Sequence, residues 1–143
     1  MIPFPICAPN GCPLFTLHEA DTSGTGDVRI EPTFIDMLRA LRIQYKTPIY
    51  ITSWCRPQEY NTQIGGHPRS LHMTENPTYR HPNGSPLANA ALDLNRPLGG
   101  RLHTLLHLAT NLGFSVGIGR TFVHLDARTV LLGKSPKVFT YDT

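Results

Sequence analysis

Residues 48–61 read PIYITSWCRPQEYN, and this stretch is the clearest structural signal in the chain. Its first six residues, 48–53, are rich in β-branched and aromatic side chains, which is typical of a buried strand. Pro57 suits the first turn of a helix, and Gly65-Gly66 marks where that short helix ends. The stretch therefore predicts a strand followed by a helix, with Arg56 at the end of the strand.

Helical and strand patterns alternate on either side of this stretch. A helix is predicted from Glu31-Pro32 to about Tyr45, because apolar residues recur at helical spacing after a proline in the first turn. A second leucine-rich helix is predicted over 102–112. The remaining predicted elements are strands at 88–94, 114–118 and 122–125, an irregular arm at 1–30 and a long loop at 67–87. This order predicts a small α+β domain with helices packed on a mainly antiparallel sheet.

Size and composition restrict the class of protein. The chain has 143 residues, of which 40% are apolar, and this suffices for one modest core. The net charge of +3 comes from scattered basic residues, so no nucleic-acid-binding stripe is expected. No apolar run approaches the about 18 residues of a membrane span, and residues 1–6 lack the features of a signal peptide. We expect a single domain over residues 1–143 that is made in the cytoplasm and does not insert into a membrane.

The cysteines and histidines restrict the chemistry. Cys7, Cys12 and Cys55 are too few for a four-cysteine zinc site or a disulfide framework. Free thiols are expected, and a disulfide between Cys7 and Cys12 would require an oxidising compartment. The chain has seven histidines and ten acidic residues. Any metal or acid–base site must draw on this small set.

Three short stretches place candidate metal ligands at the ends of predicted strands or loops. They are SLH at 70–72, ALD at 91–93 and FVHLD at 122–126. Alternation along a strand puts His124 and Asp126 on the same face. Catalytic zinc uses three such ligands and one open position, and it activates water for attack on a carbonyl group. The residues alone leave open a second interpretation, in which each histidine is an ordinary surface or core residue.

A further histidine pair is interpreted as structural. His103 and His107 lie one helical turn apart, which is a spacing that metal ligands use. However, Thr104 stands where the helical metalloprotease signature requires Glu. The pair also flanks the leucine stripe, so we interpret it as an exposed helix face.

Together these motifs resemble a family of zinc peptidases. The family includes D-Ala-D-Ala carboxypeptidases, D-alanyl-D-alanine dipeptidases, phage L-alanyl-D-glutamate endolysins and the Hedgehog signalling domain. The resemblance is closest to the carboxypeptidase-like branch common in phages and bacteria, and it extends from about Phe15 to Arg128. The similar segments are FTLHE at 15–19, residues 48–61, Gly65-Gly66, SLH at 70–72, ALD at 91–93, GIGR at 117–120 and FVHLD at 122–126. The resemblance implies a Hedgehog/D-Ala-D-Ala peptidase-like fold.

The same resemblance implies roles for four residues. His72, Asp93 and His124 would bind Zn2+. Arg56 occupies the place of the family's active-site arginine, which orients the substrate and stabilises the oxyanion. A planar, permanently charged guanidinium suits that role. In the alternative interpretation, Arg56 only holds a carboxylate of the fold.

The chain departs from the family pattern between the first two implied ligands. Relatives have them much closer in sequence, whereas 21 positions separate His72 from Asp93. The extra residues, 73–87, are interpreted as an inserted loop. This loop either covers the site, as a lid or a substrate-selecting wall, or is simply solvated. Tyr79, Arg80 and His81 are its candidate substrate contacts. Ser70 and His67, near His72 in sequence, are further candidates for substrate binding.

A second departure concerns the general base. Many relatives carry an acid three positions before the last histidine ligand, but this chain has Thr121 there. Asp126 is the best remaining candidate, because Asp93 is assigned to the metal. It either deprotonates the attacking water or orients a metal-bound imidazole. Glu75 in the inserted loop is a further candidate base.

The resemblance implies a zinc-dependent peptidase that hydrolyses peptidoglycan stem or cross-link peptides. It would be of the D-Ala-D-Ala carboxypeptidase or endopeptidase type, acting at the cell wall or periplasm after release or as part of a virion. The alternative is a non-catalytic, zinc-containing module on the same fold that recognises cell-wall peptide or protein. Thr121 favours that alternative. Neither reading involves nucleic acid.

Overall fold

The computed structural model describes residues 4–142 of the chain. Its helices and strands follow one another in an alternating order. They are β1 (Ile6–Cys7), β2 (Pro13–Phe15), α1 (Leu17–Ala20), α2 (Pro32–Tyr45), β3 (Ile51–Ser53), α3 (Gln58–Gln63), β4 (Ala91–Asn95), α4 (Gly100–Asn111), β5 (Ser115–Ile118), β6 (Phe122–Asp126), α5 (Arg128–Leu132) and β7 (Val138–Thr140).

Five strands form the central sheet in the order β3-β4-β6-β5-β7. The pairs β3–β4, β4–β6 and β5–β6 are antiparallel, and the pair β5–β7 is parallel. The register sets Asp93 of β4 directly opposite His124 of β6, with Gly117 of β5 on the other side of His124. The predicted α+β class with a mainly antiparallel sheet is confirmed, and the sheet itself brings Asp93 and His124 together.

The two long helices supply much of the core. In α2, Pro32 lies in the first turn, and the helix ends at Tyr45, followed by Lys46 in a left-handed conformation with φ 68°. This matches the predicted helix. The apolar faces of α2 and α4 are buried, and the ring of Phe34 packs edge-on against Phe114 at 6.0 Å. The helices thereby fix the sheet that carries the site.

The N-terminal arm, predicted to be irregular over residues 1–30, contains regular elements. Strands β1 and β2 pair, and Thr16 caps α1 through a capping box with Glu19. Phe15 is fully buried, with its ring 5.4 Å from the ring of Trp54. Strands of two or three residues are too short to show alternation, which is why they escaped the sequence reading. The capping box was readable as Thr-x-x-Glu.

The segment after Asp126 also contains elements that the sequence reading missed. Helix α5 follows β6 directly, and β7 then joins the sheet by parallel pairing with β5, where Val138 lies opposite Val116. Like the strands of the arm, β7 is too short to be recognised from alternation. Strand β7 extends the sheet at the edge formed by β5.

The predicted loop over 67–87 contains no helix or strand, only isolated bridges such as that between Arg80 and Pro86. Polar contacts nevertheless hold the inserted part in place. The side-chain oxygen of buried Asn76 accepts from the backbone N–H groups of Thr78 and Tyr79, both at 2.9 Å. The inserted loop therefore presents Tyr79 from a fixed position.

The three cysteines do not form a disulfide. Cys7, Cys12 and Cys55 are free thiols in the structure. Burial raises the pKa of the Cys55 thiol to about 12, so this group stays protonated at neutral pH.

Among the helices within residues 4–142, none combines the length and hydropathy needed to cross a membrane.

An ionic cluster joins the N-terminal arm to the inserted loop. The Arg29 guanidinium contacts Asp27 at 2.8 Å and Glu75 at 3.4 Å. The Thr74 hydroxyl donates to the Asp27 carboxylate at 2.7 Å. The hydrogen bond from Arg29 outweighs the opposing effect of burial and lowers the pKa of Asp27. Glu75, paired with Arg29, is half-exposed and does not line the cleft described below.

We expect Asp27→Asn to destabilise the fold by about 1 kcal/mol at pH 7, because charge-assisted bonds of a partly exposed group are lost. A carboxyl with a lowered folded-state pKa stabilises the fold above its unfolded pKa of about 3.9, and this contribution disappears as the pH falls through the lower folded value. Urea unfolding at several pH values measures this difference. The exposed carboxylate of Asp36, which pairs with Arg39 on α2, supplies the control variant Asp36→Asn. A gap between wild type and Asp27→Asn that does not narrow as the pH is lowered below about 3.9 would contradict the assignment.

Candidate metal centre

His72, Asp93 and His124 converge on one point. Each offers one ligand atom, and these atoms all lie within 4.8 Å of one another. Asp93 and His124 come from neighbouring strands, whereas His72 comes from the loop that follows α3. The backbone of His72 is held by the N–H of Arg56, which donates to its carbonyl at 2.9 Å. The group has the donor types and the spacing to hold a metal ion.

The hydrogen bonds of the two imidazoles fix which ring nitrogen is free. His72 Nδ1 lies 2.8 Å from the Trp54 carbonyl, an acceptor, so Nδ1 carries the proton. His124 Nε2 lies 2.8 Å from the Asp126 carboxylate and donates to it. The remaining nitrogens, Nε2 of His72 and Nδ1 of His124, both face Oδ1 of Asp93 at 3.2 and 2.9 Å. In the neutral rings these are lone pairs directed at an anion, an arrangement that a cation between them would stabilise.

Asp93 supplies the carboxylate oxygen that both histidines face. Burial alone would raise the pKa of its carboxyl, but His124 and His72, whose facing nitrogens donate to Asp93 when the rings are protonated, lower it well below its usual range. Burial lowers the pKa of His72, and the same burial acts on His124. For His124 the hydrogen bonds with Asp126 and Asp93 outweigh burial, so its pKa is raised. Asp93 is therefore ionised and available to a cation.

Asn89 is a buried residue that holds the backbone around His72, and the sequence did not predict this role. Its fully buried side chain accepts from the Trp54 indole N–H at 2.9 Å. Its amide nitrogen lies 3.1 Å from the Trp54 carbonyl and 3.0 Å from the His72 carbonyl. Asn89 therefore ties together the two backbone positions that orient the His72 ring. No sequence pattern marks such a buried amide.

Asp126 is buried, and both of its oxygens are engaged. One oxygen accepts from His124 Nε2, and Arg128 contacts the carboxylate at 2.6 to 3.1 Å. Burial would raise the pKa of Asp126, but the hydrogen bonds from His124 and Arg128 lower it to about 2. These contacts are those of a carboxylate that orients a metal-binding imidazole. A role in taking a proton from water stays a prediction.

Arg56 lies beside the group. Its guanidinium is 3.8 Å from the second oxygen of Asp93, and its Nε donates to the Ser53 hydroxyl at 3.3 Å. A further nitrogen of the guanidinium lies 3.4 Å from the side-chain oxygen of Asn61. Arg56 is thus positioned to place positive charge next to the three candidate ligands. The contact with Asp93 also satisfies the alternative reading, in which Arg56 holds a carboxylate of the fold.

A cleft of about 850 Å³ opens over these residues. The candidate substrate contacts Ser70, His67 and Tyr79 line it. Arg80 and His81 do not: Arg80 donates to the Gly84 carbonyl, and His81 pairs with Glu31 at 3.0 Å. The sequence reading missed a further set of lining residues, mostly from the C-terminal part of the chain: Arg69, Phe122, Arg128, Leu132, Lys134, Lys137, Phe139 and Tyr141.

Thr121, His103 and His107, which were considered from the sequence, do not line this cleft. Thr121 lines a separate pocket of about 520 Å³, together with Arg96 and Arg120. His103 and His107 are on α4, where His107 contacts the side chain of Asn111 at 3.3 Å. Neither histidine lines the cleft over Asp93.

Comparison with models of known protein families places most of the chain in one of them. The model of the family described as peptidase M15 matches residues 14–126. This range contains Arg56 and the group of His72, Asp93 and His124, and it ends before α5 and β7. No curated protein and no solved structure matches the chain.

Proposed function

Since the chain belongs to the peptidase M15 family, we propose that it is a zinc-dependent peptidase that hydrolyses peptidoglycan stem or cross-link peptides. Family membership supports a metallopeptidase whose substrates are peptides. The observation that carries the metal-dependent part is the approach of two imidazole nitrogens to one carboxylate oxygen at 3.2 and 2.9 Å. The site of action is the cell wall or periplasm, reached after release or within a virion.

His72, Asp93 and His124 would hold the zinc. Two neutral imidazoles and one carboxylate are a donor set that catalytic zinc uses, with a position left for substrate or water. When bound, the metal supplies a Lewis acid that polarises a carbonyl group and lowers the pKa of water. The hydrogen bonds from His72 to Trp54 and from His124 to Asp126 would keep both rings in the binding orientation.

Arg56 and Asp126 have distinct proposed tasks. The Arg56 guanidinium, 3.8 Å from Asp93, would stabilise negative charge on the carbonyl oxygen as water attacks. Asp126 would accept the proton of that water, in addition to fixing the His124 ring. Its ionised state at neutral pH supports both tasks, because only the carboxylate form accepts a proton.

The charge of the cleft supports an anionic peptide as substrate. Arg69, Lys134 and Lys137 line the cleft, and within residues 4–142 none of them lies within 4.0 Å of a carboxylate. Lys134 instead donates to the Tyr79 hydroxyl at 2.9 Å. Peptidoglycan stem peptides carry free carboxylates, which such cations attract. Ser70 and His67 would contribute polar contacts from the same wall.

Digestion of defined muropeptides tests the proposal. The zinc-loaded protein is incubated with a disaccharide pentapeptide and with a cross-linked dimer, and the products are identified by mass spectrometry. Loss of a terminal D-alanine would indicate a carboxypeptidase, and conversion of the dimer to monomers an endopeptidase. We expect one of these products, its loss on chelation of the metal and its return when zinc is added back. An absence of product from both substrates would contradict the proposed substrate class, and full activity in chelator would contradict the zinc mechanism.

A non-catalytic binding module is the second candidate. It is favoured by the engagement of both Asp126 oxygens and by the absence of an acid at Thr121, which lines a different pocket. Such a module would bind the same muropeptides without converting them. Equilibrium binding of the uncleaved pentapeptide, measured alongside the digestion, separates the two candidates.

A further inference from the structure

The C-terminal segment around β7 lies against the candidate metal centre, although it is outside the range that the family model matches. Parallel pairing with β5 holds the strand, and the backbone N–H of Tyr141 continues this pairing by donating to the Ile118 carbonyl at 3.0 Å. The approach is close at Gly117, where an added Cβ would lie 2.6 Å from ring atoms of both Phe139 and Tyr141. A side chain at position 117 would push this segment away from His124.

The ring of Tyr141 is held by three other rings. Its centroid lies 5.0 Å from Phe122, 5.3 Å from Phe139 and 6.5 Å from the imidazole of His124, the last at an interplanar angle of 72°. These are the offset and edge-on arrangements that aromatic pairs prefer. The residue keeps 39% of its surface exposed and lines the cleft. The phenol is therefore positioned by packing and still accessible from the cleft.

The hydroxyl of Tyr141 is free for a ligand. Within residues 4–142, the hydrogen bond of Tyr141 is made by its backbone N–H, and its side chain makes none. By contrast, the other cleft tyrosine, Tyr79, is engaged with Lys134. Burial raises the pKa of the Tyr141 phenol to about 12, so the hydroxyl carries its proton at neutral pH and is a hydrogen-bond donor.

We propose that Tyr141 is a catalytic residue, whose hydroxyl donates a hydrogen bond to the scissile carbonyl oxygen as that oxygen becomes negatively charged. The inference rests on the peptidase function proposed above. Arg56 would stabilise the same oxygen from the loop after β3, and Tyr141 would do so from the segment after β7. The phenol keeps its proton throughout, so no bond to Tyr141 forms or breaks. The donor is fixed by packing before substrate arrives, which is the condition under which such donors are effective.

Removal of one donor of this kind lowers the turnover number about 10² to 10³-fold in enzymes. We expect Tyr141→Phe to lower kcat by about 10²-fold and to change KM little, because the bond strengthens as charge develops. Zinc stoichiometry and Tm should stay at the wild-type values, since phenylalanine preserves the ring packing. The matched control is Tyr50→Phe, which removes the hydroxyl of an exposed tyrosine that does not line the cleft.

A binding measurement makes the test independent of turnover. Acetohydroxamate, a small anion that chelates zinc in protein sites, is titrated into the zinc-loaded wild type, Tyr141→Phe and Tyr50→Phe by calorimetry. Loss of a hydrogen bond to a charged oxygen should weaken binding about tenfold in Tyr141→Phe and leave Tyr50→Phe unchanged. Equal acetohydroxamate affinity in all three proteins, or wild-type kcat in Tyr141→Phe, would overturn the assignment of Tyr141. A wild type without peptidase activity whose acetohydroxamate binding still depends on Tyr141 would contradict the proposed function and support the donor.

Discussion

Replacement of His72 by alanine is expected to abolish stoichiometric zinc binding and to reduce peptide hydrolysis by about 10⁴-fold or more. The variant loses one of three protein ligands, and the two that remain do not complete a catalytic zinc site. Because His72 is only 3% exposed, its removal also leaves a small buried space beside Trp54. The expected loss of activity is large because the metal supplies both polarisation of the carbonyl and activation of water. Metal analysis and the muropeptide assay measure the two effects.

The control for this variant is His107→Ala on α4. It removes a histidine of the same chain that does not line the cleft and whose ring lies 3.3 Å from the side chain of Asn111. We expect normal zinc content and normal turnover for His107→Ala. A His72→Ala protein that folds, as judged by circular dichroism, and still binds one zinc per chain would contradict the proposed ligand set.

Replacement of Asp126 by asparagine is expected to weaken zinc binding and to lower turnover. Loss of the carboxylate removes the anionic partner of His124 Nε2 at 2.8 Å and leaves the Arg128 guanidinium without its ion pair. Changes to such outer partners weaken metal binding about 10- to 100-fold. If Asp126 also accepts the proton of the attacking water, turnover falls by a further factor of about 10² to 10⁴. Zinc affinity and turnover are measured on the same preparation.

Saturating zinc distinguishes the two roles of Asp126. A carboxylate that only orients His124 should be dispensable once the metal site is filled, so turnover would recover as zinc is raised. A general base is still absent from the zinc-saturated variant, so turnover would stay low. We expect the second result. Recovery to wild-type turnover would assign Asp126 to orientation alone, and retained pentapeptide binding without any wild-type turnover would favour the binding module.

The parts of the fold that could be predicted from the sequence are those with local, periodic signals. Phe34, Leu38 and Leu41 repeat at helical spacing, and they are the buried face of α2. The alternation of residues 122–126 predicted that His124 and Asp126 share a face, and in the structure their side chains meet at 2.8 Å. The meeting of His72, Asp93 and His124 was anticipated from a resemblance to known peptidases, and not from periodicity.

The parts that could not be predicted depend on contacts between distant segments. Asn89 is buried because Trp54 and His72 both need a polar partner, and these residues are 35 and 17 positions away. Strand β7 is only three residues long and acquires its conformation by pairing with β5. The cleft wall formed by Tyr141 therefore has no local signal. The insertion was visible as an unusual length of chain, but its anchoring by Asn76 was not.

X-ray absorption at the zinc edge of the metal-loaded protein tests the proposal that His72, Asp93 and His124 bind one zinc ion, because it reports the type and number of ligand atoms. We predict one zinc per chain, with a signal from two imidazoles and further oxygen ligands, zinc–nitrogen distances of about 2.0–2.1 Å, and no sulfur. Sulfur ligands, a spectrum without imidazole, or a protein that hydrolyses muropeptides with no bound metal would contradict the claim.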